Sequence, residues 1–247
     1  MRNIALIPAR SGSKRLPNKN IMRLNGHPLI AYTIASAIES QMFESVFVST
    51  DSPEYAKIAT YYGASVEFMR PKEFATDLSP DFEWVDFTLG ELLIRGREYD
   101  RFAILRPTSP FRSSATIKRA FKEFSQSGDA DSIRAVEICK QHPAKMWTIE
   151  AGILVPVMPG ANTGVDWFSS PTQSLPEIWA QNASLEIAKV ECVTRMKSIT
   201  GKIIIPFKTQ FPEGLDVNTP EDFKLAELLL TENSASLPKI ALPSFEN

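Results

Sequence analysis

The sequence of 247 residues has only two cysteines and two histidines, and its charges nearly cancel. Two cysteines are too few for a disulfide-stapled secreted domain, so we expect a reducing, cytoplasmic location. The formal charge of −2 gives no chain-wide cationic field for nucleic acid or an anionic membrane surface. No apolar run approaches the roughly 18 residues of a spanning helix. These absences argue against a disulfide-stapled domain, a membrane-spanning helix and a broadly cationic binding surface. Any anionic ligand must therefore be bound by a local group of cations.

The residues that are present favour a globular α/β chain. Hydrophobic residues make up 43% of the sequence, enough for a sizeable core. The short apolar run at residues 3–8 is followed by a polar loop, which is typical of a buried strand. Helix and strand patterns then alternate, with helices at 28–43, 53–62, 81–95 and 113–125 and strands at 45–49, 64–68, 101–105 and 130–136. This alternation predicts a three-layer α/β/α sandwich with a mostly parallel sheet.

The alternation stops in the middle of the chain. From Cys139 to Pro176 the sequence is rich in proline, glycine, serine and tryptophan, with no helical period. We predict one domain over residues 1–247 with an inserted excursion at 139–182, either a long loop or a β-rich flap. Regular structure is expected again at 183–190, at 201–207 and in a helix at 220–230, and the tail at 232–247 is expected to be loosely ordered.

A basic loop directly follows the first predicted strand. Ligands of open α/β sheets bind beyond the carboxyl ends of the strands, where this loop must lie. Arginine can grip a phosphate with two hydrogen bonds, and lysine adds a mobile charge, so the loop suits a triphosphate. The residues that it offers to such a ligand are Ala9, Arg10, Ser11, Gly12, Ser13, Lys14, Lys19 and Asn20. The loop is neither a Walker A loop nor a GxGxxG turn, and a merely solvated basic loop is the alternative interpretation.

A second polar motif lies near the carboxyl-terminal end. Asp216 and Asn218 share one face if this segment is extended, because side chains alternate along a strand. Two such oxygen donors suit Mg²⁺, whose octahedral shell water and phosphates can complete. The next residues, Thr219 to Asp222, have the pattern of a helix start, with threonine as N-cap, proline at the first position and an acid at the third.

Several ordered sequence blocks resemble one family, the cytidylyltransferases that activate sialic acid and related nonulosonic acids. The opening pattern I-P-A-R-x-x-S-K-x-x-P-x-K-N is matched at residues 7–20. Further matching blocks are His27 to Ile30, Val48 to Asp51, Arg70-Pro71, Pro107 to Pro110, Gln181-Asn182 and Asp216 to Asp222. The resemblance covers residues 3 to 230. It implies the fold of the nucleotide-diphospho-sugar transferases.

The resemblance also implies roles for the nucleotide-binding residues. Arg10, Ser13, Lys14 and Lys19 are expected to hold the phosphates of CTP, and Asn20 is expected near the ribose or a phosphate. Arg70 matches the family's contact to the base. The expected catalytic residues are Arg10, Lys14, Lys19 and Asp216. The family usually has aspartate at both metal positions, so Asn218 is a departure that brings an oxygen donor without charge.

For the acceptor sugar, the resemblance implies a site built with a second copy of the chain. The excursion is expected to form a homodimer, and Lys145 matches a lysine that binds the sugar acid across the interface. Asn182 is expected to bind the sugar or the core, and Arg112 to pair with the sugar carboxylate. Arg106, which is also expected to bind the sugar, stands where sialic acid enzymes usually have glutamine, and Asp81 stands near an expected serine. These departures favour an acceptor other than N-acetylneuraminate, with legionaminic-type, pseudaminic-type and other 2-keto-3-deoxy acids open.

The expected reaction is transfer of CMP from CTP to the anomeric hydroxyl of such a sugar acid, with release of pyrophosphate and with Mg²⁺ as cofactor. One alternative is a nucleotidyltransferase for another nucleotide or for a sugar phosphate. A second alternative is a non-catalytic nucleotide-binding scaffold of the same fold. Retention of Arg10, Lys14 and Lys19 together with Asp216 argues against the scaffold.

Overall fold

The structure is a computed structural model that describes residues 1–158 and 166–246. Part of the predicted excursion, residues 159–165, lies outside the described residues. The chain divides into two compact units, the first comprising Met1–Ala135 and the chain from Asn182 onward, the second comprising Val136–Gln181. No described helix is both long and apolar enough to cross a bilayer.

The main sheet has six strands within the described residues, in the order β10-β6-β9-β5-β1-β4. The strands of the chain are β1 Asn3–Pro8, β2 Arg23–Leu24, β3 His27–Pro28, β4 Ser45–Ser49, β5 Arg101–Ile104, β6 Ser132–Ile138, β7 Trp147–Glu150, β8 Ile153–Pro156, β9 Trp179–Lys189 and β10 Ile204–Lys208. The helices are α1 Leu29–Ser40, α2 Pro53–Tyr61, α3 Asp81–Ile94, α4 Ser114–Gln126, α5 Val190–Thr194 and α6 Pro220–Thr231.

Strand β1 shows why this sheet is covered on both faces. After Asn3 its residues are all apolar, and successive side chains point to opposite faces of a sheet. Ala5 and Ile7 belong to a core cluster with residues of α1, α2 and α4, whereas Ile4 and Leu6 belong to a second cluster with residues of α3 and α5. The predicted three-layer α/β/α sandwich is therefore confirmed.

The strand directions bring three loops to one edge of the sheet. Strand β1 pairs in parallel with β4, where Pro8 faces Ser49, and in parallel with β5, where Leu6 faces Ile104. The carboxyl ends of these three strands consequently meet, and the loops that follow them are neighbours. Strand β9 pairs with β5 in the antiparallel direction, so the sheet is mixed.

Two sequence-based expectations for the fold are wrong. Residues 64–68 do not form a strand; a single parallel bridge joins Phe47 to Ser65. This segment is short, and the Arg70-Pro71 pair soon turns the chain away, because proline cannot donate to a ladder. The tail also differs from the expectation: it lacks regular structure, yet Arg23 donates to Ser244 Oγ and to the Phe245 carbonyl.

The second unit contains a two-stranded antiparallel hairpin. Strand β7 pairs with β8, and the turn residues Ala151 and Gly152 both have positive φ, as a type I′ hairpin turn requires. Its apolar side chains are largely open to solvent: Ile149 is 75% exposed and Ile153 68% exposed. The β-rich form of the excursion is thus present in the described part.

Candidate active site

The basic loop begins directly at the end of β1 and is fixed to the end of β4. The Ala9 amide donates to the Ser49 carbonyl at 3.0 Å. Asp51 accepts two hydrogen bonds from Ser11, one from its backbone N–H and one from its hydroxyl, each at 2.9 Å. Helix α2 is capped by the hydroxyl of Ser52, which accepts from the Tyr55 amide. The Asp51 carboxylate is therefore used to hold the loop and not to cap the helix.

The same loop is closed on itself by an amide side chain. Asn20 is buried, and its Nδ2 donates to the Arg10 carbonyl at 3.1 Å. The Arg10 guanidinium donates to the Gly12 carbonyl. The hydroxyl of Ser13 is buried without a hydrogen-bond partner among the described residues, so it has a free donor and acceptor.

Two of the loop cations share one carboxylate. Asp77 lies in the turn before α3 and pairs with Arg10 at 2.6 Å and with Lys14 at 2.7 Å. These two contacts lower the pKa of the Asp77 carboxyl, with the hydrogen bond from Lys14 as the larger cause. Asp77 thus occupies the cations that a phosphate would need, although no sequence pattern singles it out.

The third loop cation reaches the carboxyl-terminal motif. The Lys19 ammonium donates to Asn218 Oδ1 at 2.8 Å, and the Asn218 amide nitrogen donates to Asp216 Oδ2. The buried Val217 between them donates its amide to the Thr108 carbonyl at 2.8 Å, which fixes this motif beside the end of β5. Burial lowers the pKa of Lys19, although the nearby charge of Asp216 opposes the effect. The structure therefore brings together residues about 200 positions apart.

Of the two expected magnesium ligands, Asp216 has a free oxygen and Asn218 does not. Asp216 Oδ1 is buried and has no hydrogen-bond partner among the described residues, so it presents an unused anionic oxygen. Asn218 Oδ1, the second expected ligand, is bound to Lys19. No group of three or more histidine, cysteine or acidic residues lies together in the described part of the chain. A metal here would take one ligand from Asp216 and would need the others from phosphate and water.

The base-contact candidate, Arg70, is almost fully buried. Its guanidinium donates to the hydroxyl of Ser49 at 3.0 Å and to the Ser49 carbonyl at 2.8 Å, and it stacks over the Trp84 ring at 4.7 Å. Burial lowers the pKa of Arg70 to about 10. Trp84 was not expected from the sequence, because a tryptophan on a helix is ordinarily a core residue.

A cleft of about 160 Å³ at the carboxyl edge of the sheet is lined by part of the basic loop together with Arg70 and Trp84. It is smaller than the roughly 300–1,000 Å³ of ordinary ligand sites. Its charged lining residues are Arg10, Lys19, Arg70, Asp77, Asp81 and Arg106. Because Asp77 is one of them and is paired with Arg10, its release would open room and free a cation for an anionic ligand.

The four residues expected at the sugar are each engaged in hydrogen bonds or ion pairs with other protein groups. Arg112 is 1% exposed, and its guanidinium donates to Thr33 Oγ1 and to the carbonyls of Arg106 and Ser184. Burial lowers its pKa to about 9. A side chain so enclosed offers no accessible donor to a sugar carboxylate, and its bonds link β9 to α1. The expectation that Arg112 binds the sugar is therefore not supported by its position.

The other three sugar candidates are held by different partners. Asn182 donates to Thr209 Oγ1 at 2.8 Å. Lys145, in the second unit, donates to the carbonyls of Phe168 and Ser170. Arg106 is paired with two carboxylates, Asp81 at 2.6 Å and Glu186 at 3.3 Å.

Comparison with known proteins points to the cytidylyltransferases, the family that the sequence blocks resemble. A family model described as Cytidylyltransferase matches residues 4–148. The CMP-N,N'-diacetyllegionaminic acid synthase of Legionella pneumophila is 35% identical over 243 residues, covering 96% of this chain and 100% of the relative. An N-acylneuraminate cytidylyltransferase of Streptococcus agalactiae is 35% identical over 225 residues, covering 90% of this chain and 52% of the longer relative.

Among solved structures, a CMP:2-keto-3-deoxy-manno-octonic acid synthetase complexed with CTP superposes with a TM-score of 0.68. It covers 94% of this chain and 100% of the other, at 12% identity. At that identity the likeness establishes the fold alone.

Proposed function

The chain belongs to the cytidylyltransferase family, and we propose that it transfers CMP from CTP to the anomeric hydroxyl of a nonulosonic sugar acid. The observation that carries this proposal is the meeting of the basic loop with Asp216 at one edge of the sheet. Lys19 and Asp216 are joined through Asn218, so one cation of the basic loop lies close to the carboxylate that carries an unpaired oxygen.

In the proposed reaction, the anomeric oxygen of the acceptor attacks the α-phosphorus of CTP. A bond forms between that oxygen and phosphorus, the bond to the bridging oxygen of the β-phosphate breaks, and pyrophosphate leaves. Arg10, Lys14 and Lys19 bind the phosphate oxygens and offset the charge that develops on them. The hydroxyl proton passes to solvent or to a base that we do not assign.

We propose Mg²⁺ as the cofactor, with Asp216 as the protein ligand. When bound, the ion supplies charge stabilisation on the phosphate oxygens. The contribution of Asn218 is to hold Lys19 and Asp216 in position, because both ends of its amide are already bonded to them.

For the acceptor, we infer a sugar acid of the diacetyllegionaminic type. The relative of that name matches this chain over nearly the whole length of both proteins. Other nonulosonic acids, including N-acetylneuraminate and pseudaminic acid, are the comparison substrates. We also place the reaction in the cytoplasm, in keeping with two unpaired cysteines.

We propose that two copies of the chain assemble through the hairpin β7–β8. Its exposed apolar residues are Ile149, Ile153 and Leu154, and a lone two-stranded hairpin cannot bury them. A homodimer would place Lys145 near a partner's site, as the family resemblance implies.

To test the proposed function, we would measure release of pyrophosphate from CTP in the presence of Mg²⁺ and each of a panel of nonulosonic acids. The Asp216→Ala variant is the blank. We expect release with a legionaminic-type acid and its loss in the variant. Replacing CTP by UTP and GTP tests the nucleotide. Binding of CTP without release for any acid would favour the non-catalytic scaffold.

A further inference from the structure

Arg106, at the carboxyl end of β5, is enclosed by two acidic side chains. Its guanidinium contacts both oxygens of Asp81, at 2.6 Å and 3.4 Å, and Glu186 Oε1 at 3.3 Å. The second oxygen of Glu186 binds Arg134. The four charges sum to zero, so the Arg106 cation is already balanced by the protein and is poorly placed to attract the carboxylate of a sugar acid.

On its other side, Asp81 leads to the base-contact candidate. Asp81 Oδ1 accepts from the Trp84 indole N–H at 2.8 Å, and the Trp84 ring carries the Arg70 guanidinium on its face at 4.7 Å. Arg70 in turn donates to Ser49. A continuous set of contacts therefore runs from Arg106 to Arg70, and Arg70, Asp81, Trp84 and Arg106 all line the cleft.

The electrostatics of the pair agree with this geometry. Burial opposes the charged form of Asp81, yet Arg106 lowers the pKa of the Asp81 carboxyl overall. The pair is half-buried, with side chains that are 24% and 31% exposed. Removing one member disturbs the balance of charge around the other, whereas replacing both by neutral groups does not. The double variant therefore separates the loss of the contact from the effect of an unbalanced charge.

We propose that Arg106 is a positioning residue for the nucleotide: acting through Asp81, it fixes the Trp84–Arg70 stack, and it does not bind the acceptor. The proposal rests on the proposed function, because it assumes that CTP occupies this cleft with its base near Arg70. It reassigns Arg106, which the sequence placed at the sugar, and it makes Arg106 and Asp81 a unit that determines nucleotide selectivity.

The test is a double-variant cycle with Arg106→Gln, Asp81→Ser and both together. Binding of CTP and UTP is measured by equilibrium dialysis without acceptor, and KM for CTP and for the acceptor is measured separately. We expect each single variant to weaken CTP binding about tenfold and to reduce the preference over UTP, with the acceptor KM nearly unchanged. The double variant should lose no more than the weaker of the two single variants, because both substitutions act on the same Trp84–Arg70 stack.

The matched control is Arg97→Gln, which removes an arginine paired with Glu67 at 2.5 Å outside the cleft. It should leave the preference for CTP over UTP unchanged. Thermal unfolding is recorded for every variant, and the double variant serves if a single variant does not fold.

The outcomes separate the two proposals. If Arg106→Gln raises the acceptor KM and leaves CTP binding intact, or if the losses from the two single variants add in the double variant, the positioning role is wrong. If the unaltered chain binds CTP but transfers it to no acceptor, the proposed function fails while the binding cycle still decides the role of Arg106. If the unaltered chain does not bind CTP, both proposals are overturned.

Discussion

The nucleotide half and the acceptor half of the expected site differ in how the structure holds their residues. The nucleotide half is assembled by the parallel strands β1, β4 and β5, whose ends bring the basic loop, Asp51 and Thr108 to one edge. Its side chains contact one another directly, as in the series Lys19, Asn218 and Asp216.

The residues assigned to the acceptor half are each engaged by other protein groups. Arg112 is in the core, Arg106 is neutralised by acids, and Lys145 belongs to the other compact unit. The nucleotide candidates thus form a connected set at one sheet edge, whereas the acceptor candidates are engaged by separate protein groups.

The largest expected effect comes from breaking the nucleotide half at Lys19. Lys19→Met keeps the length of the side chain and removes its charge, so we expect kcat/KM for CTP to fall about 100-fold, the effect of losing one well-placed donor to the transition state. Pyrophosphate release measures the loss. Lys208→Met, a lysine at the end of β10, provides a control that should change activity little.

Thermal unfolding tells whether Lys19→Met lowers activity directly or by destabilising the fold. The variant leaves Asn218 Oδ1 without its donor, but Asn218 is only half-buried and can bind water instead. A thermal midpoint close to that of the unaltered chain is therefore expected. A variant that is unfolded would show that Lys19 mainly stabilises the fold.

The acceptor half can be tested by mixing two defective chains. If Lys145 acts in the site of a partner subunit, Lys145→Ala should lower kcat/KM for the acceptor about tenfold, as loss of a charge-assisted contact does. Mixing Lys145→Ala with Asp216→Ala should then restore activity, because a mixed dimer contains one site with both residues intact. Pyrophosphate release after exchange of subunits is the measurement.

Each variant mixed with itself is the control for that restoration. Ile153→Glu places a charge on the exposed face of the hairpin and should yield monomers in light scattering, whereas Leu228→Glu on α6 should not. Mixed dimers that form without regaining activity would contradict a shared acceptor site and leave Lys145 a role within its own unit.

Sequence alone predicted the parts of this molecule that local patterns encode. The apolar run of β1, the loop after it and the capping box at Thr219 and Asp222 each follow from neighbouring residues. The pairing of Asp81 with Arg106, the two bonds from Ser11 to Asp51 and the burial of Arg112 depend on residues far apart in sequence. Residues 64–68 also depend on distant contacts. Their apolar and polar residues alternate as in a strand, yet they form only one bridge to β4.

A smaller effect is expected from restoring aspartate at position 218, where this chain has asparagine beside the proposed metal ligand Asp216. Asn218→Asp places a second negative charge beside Asp216, and the repulsion between the two carboxylates is relieved when a cation binds. We expect the Mg²⁺ concentration for half-maximal activity to fall about fivefold, within the range of a single added ionic contact. Magnesium titration of CTP binding gives an independent measurement. An unchanged titration would show that residue 218 is not near the metal and acts only on Lys19.

The smallest expected effect concerns Asp77, the acid that holds Arg10 and Lys14. Exposed ion pairs contribute little, so their loss should hardly alter stability. Asp77→Asn nevertheless removes an anion that competes with phosphate for two cations, and we expect KM for CTP to fall about twofold at low salt. The gain should shrink as salt is added, because salt screens the competing pairs in the unaltered chain. Asp100→Asn, at the opposite end of β5, is the control. A higher KM in the Asp77 variant would mean that this carboxylate positions the cations for CTP and does not compete with it.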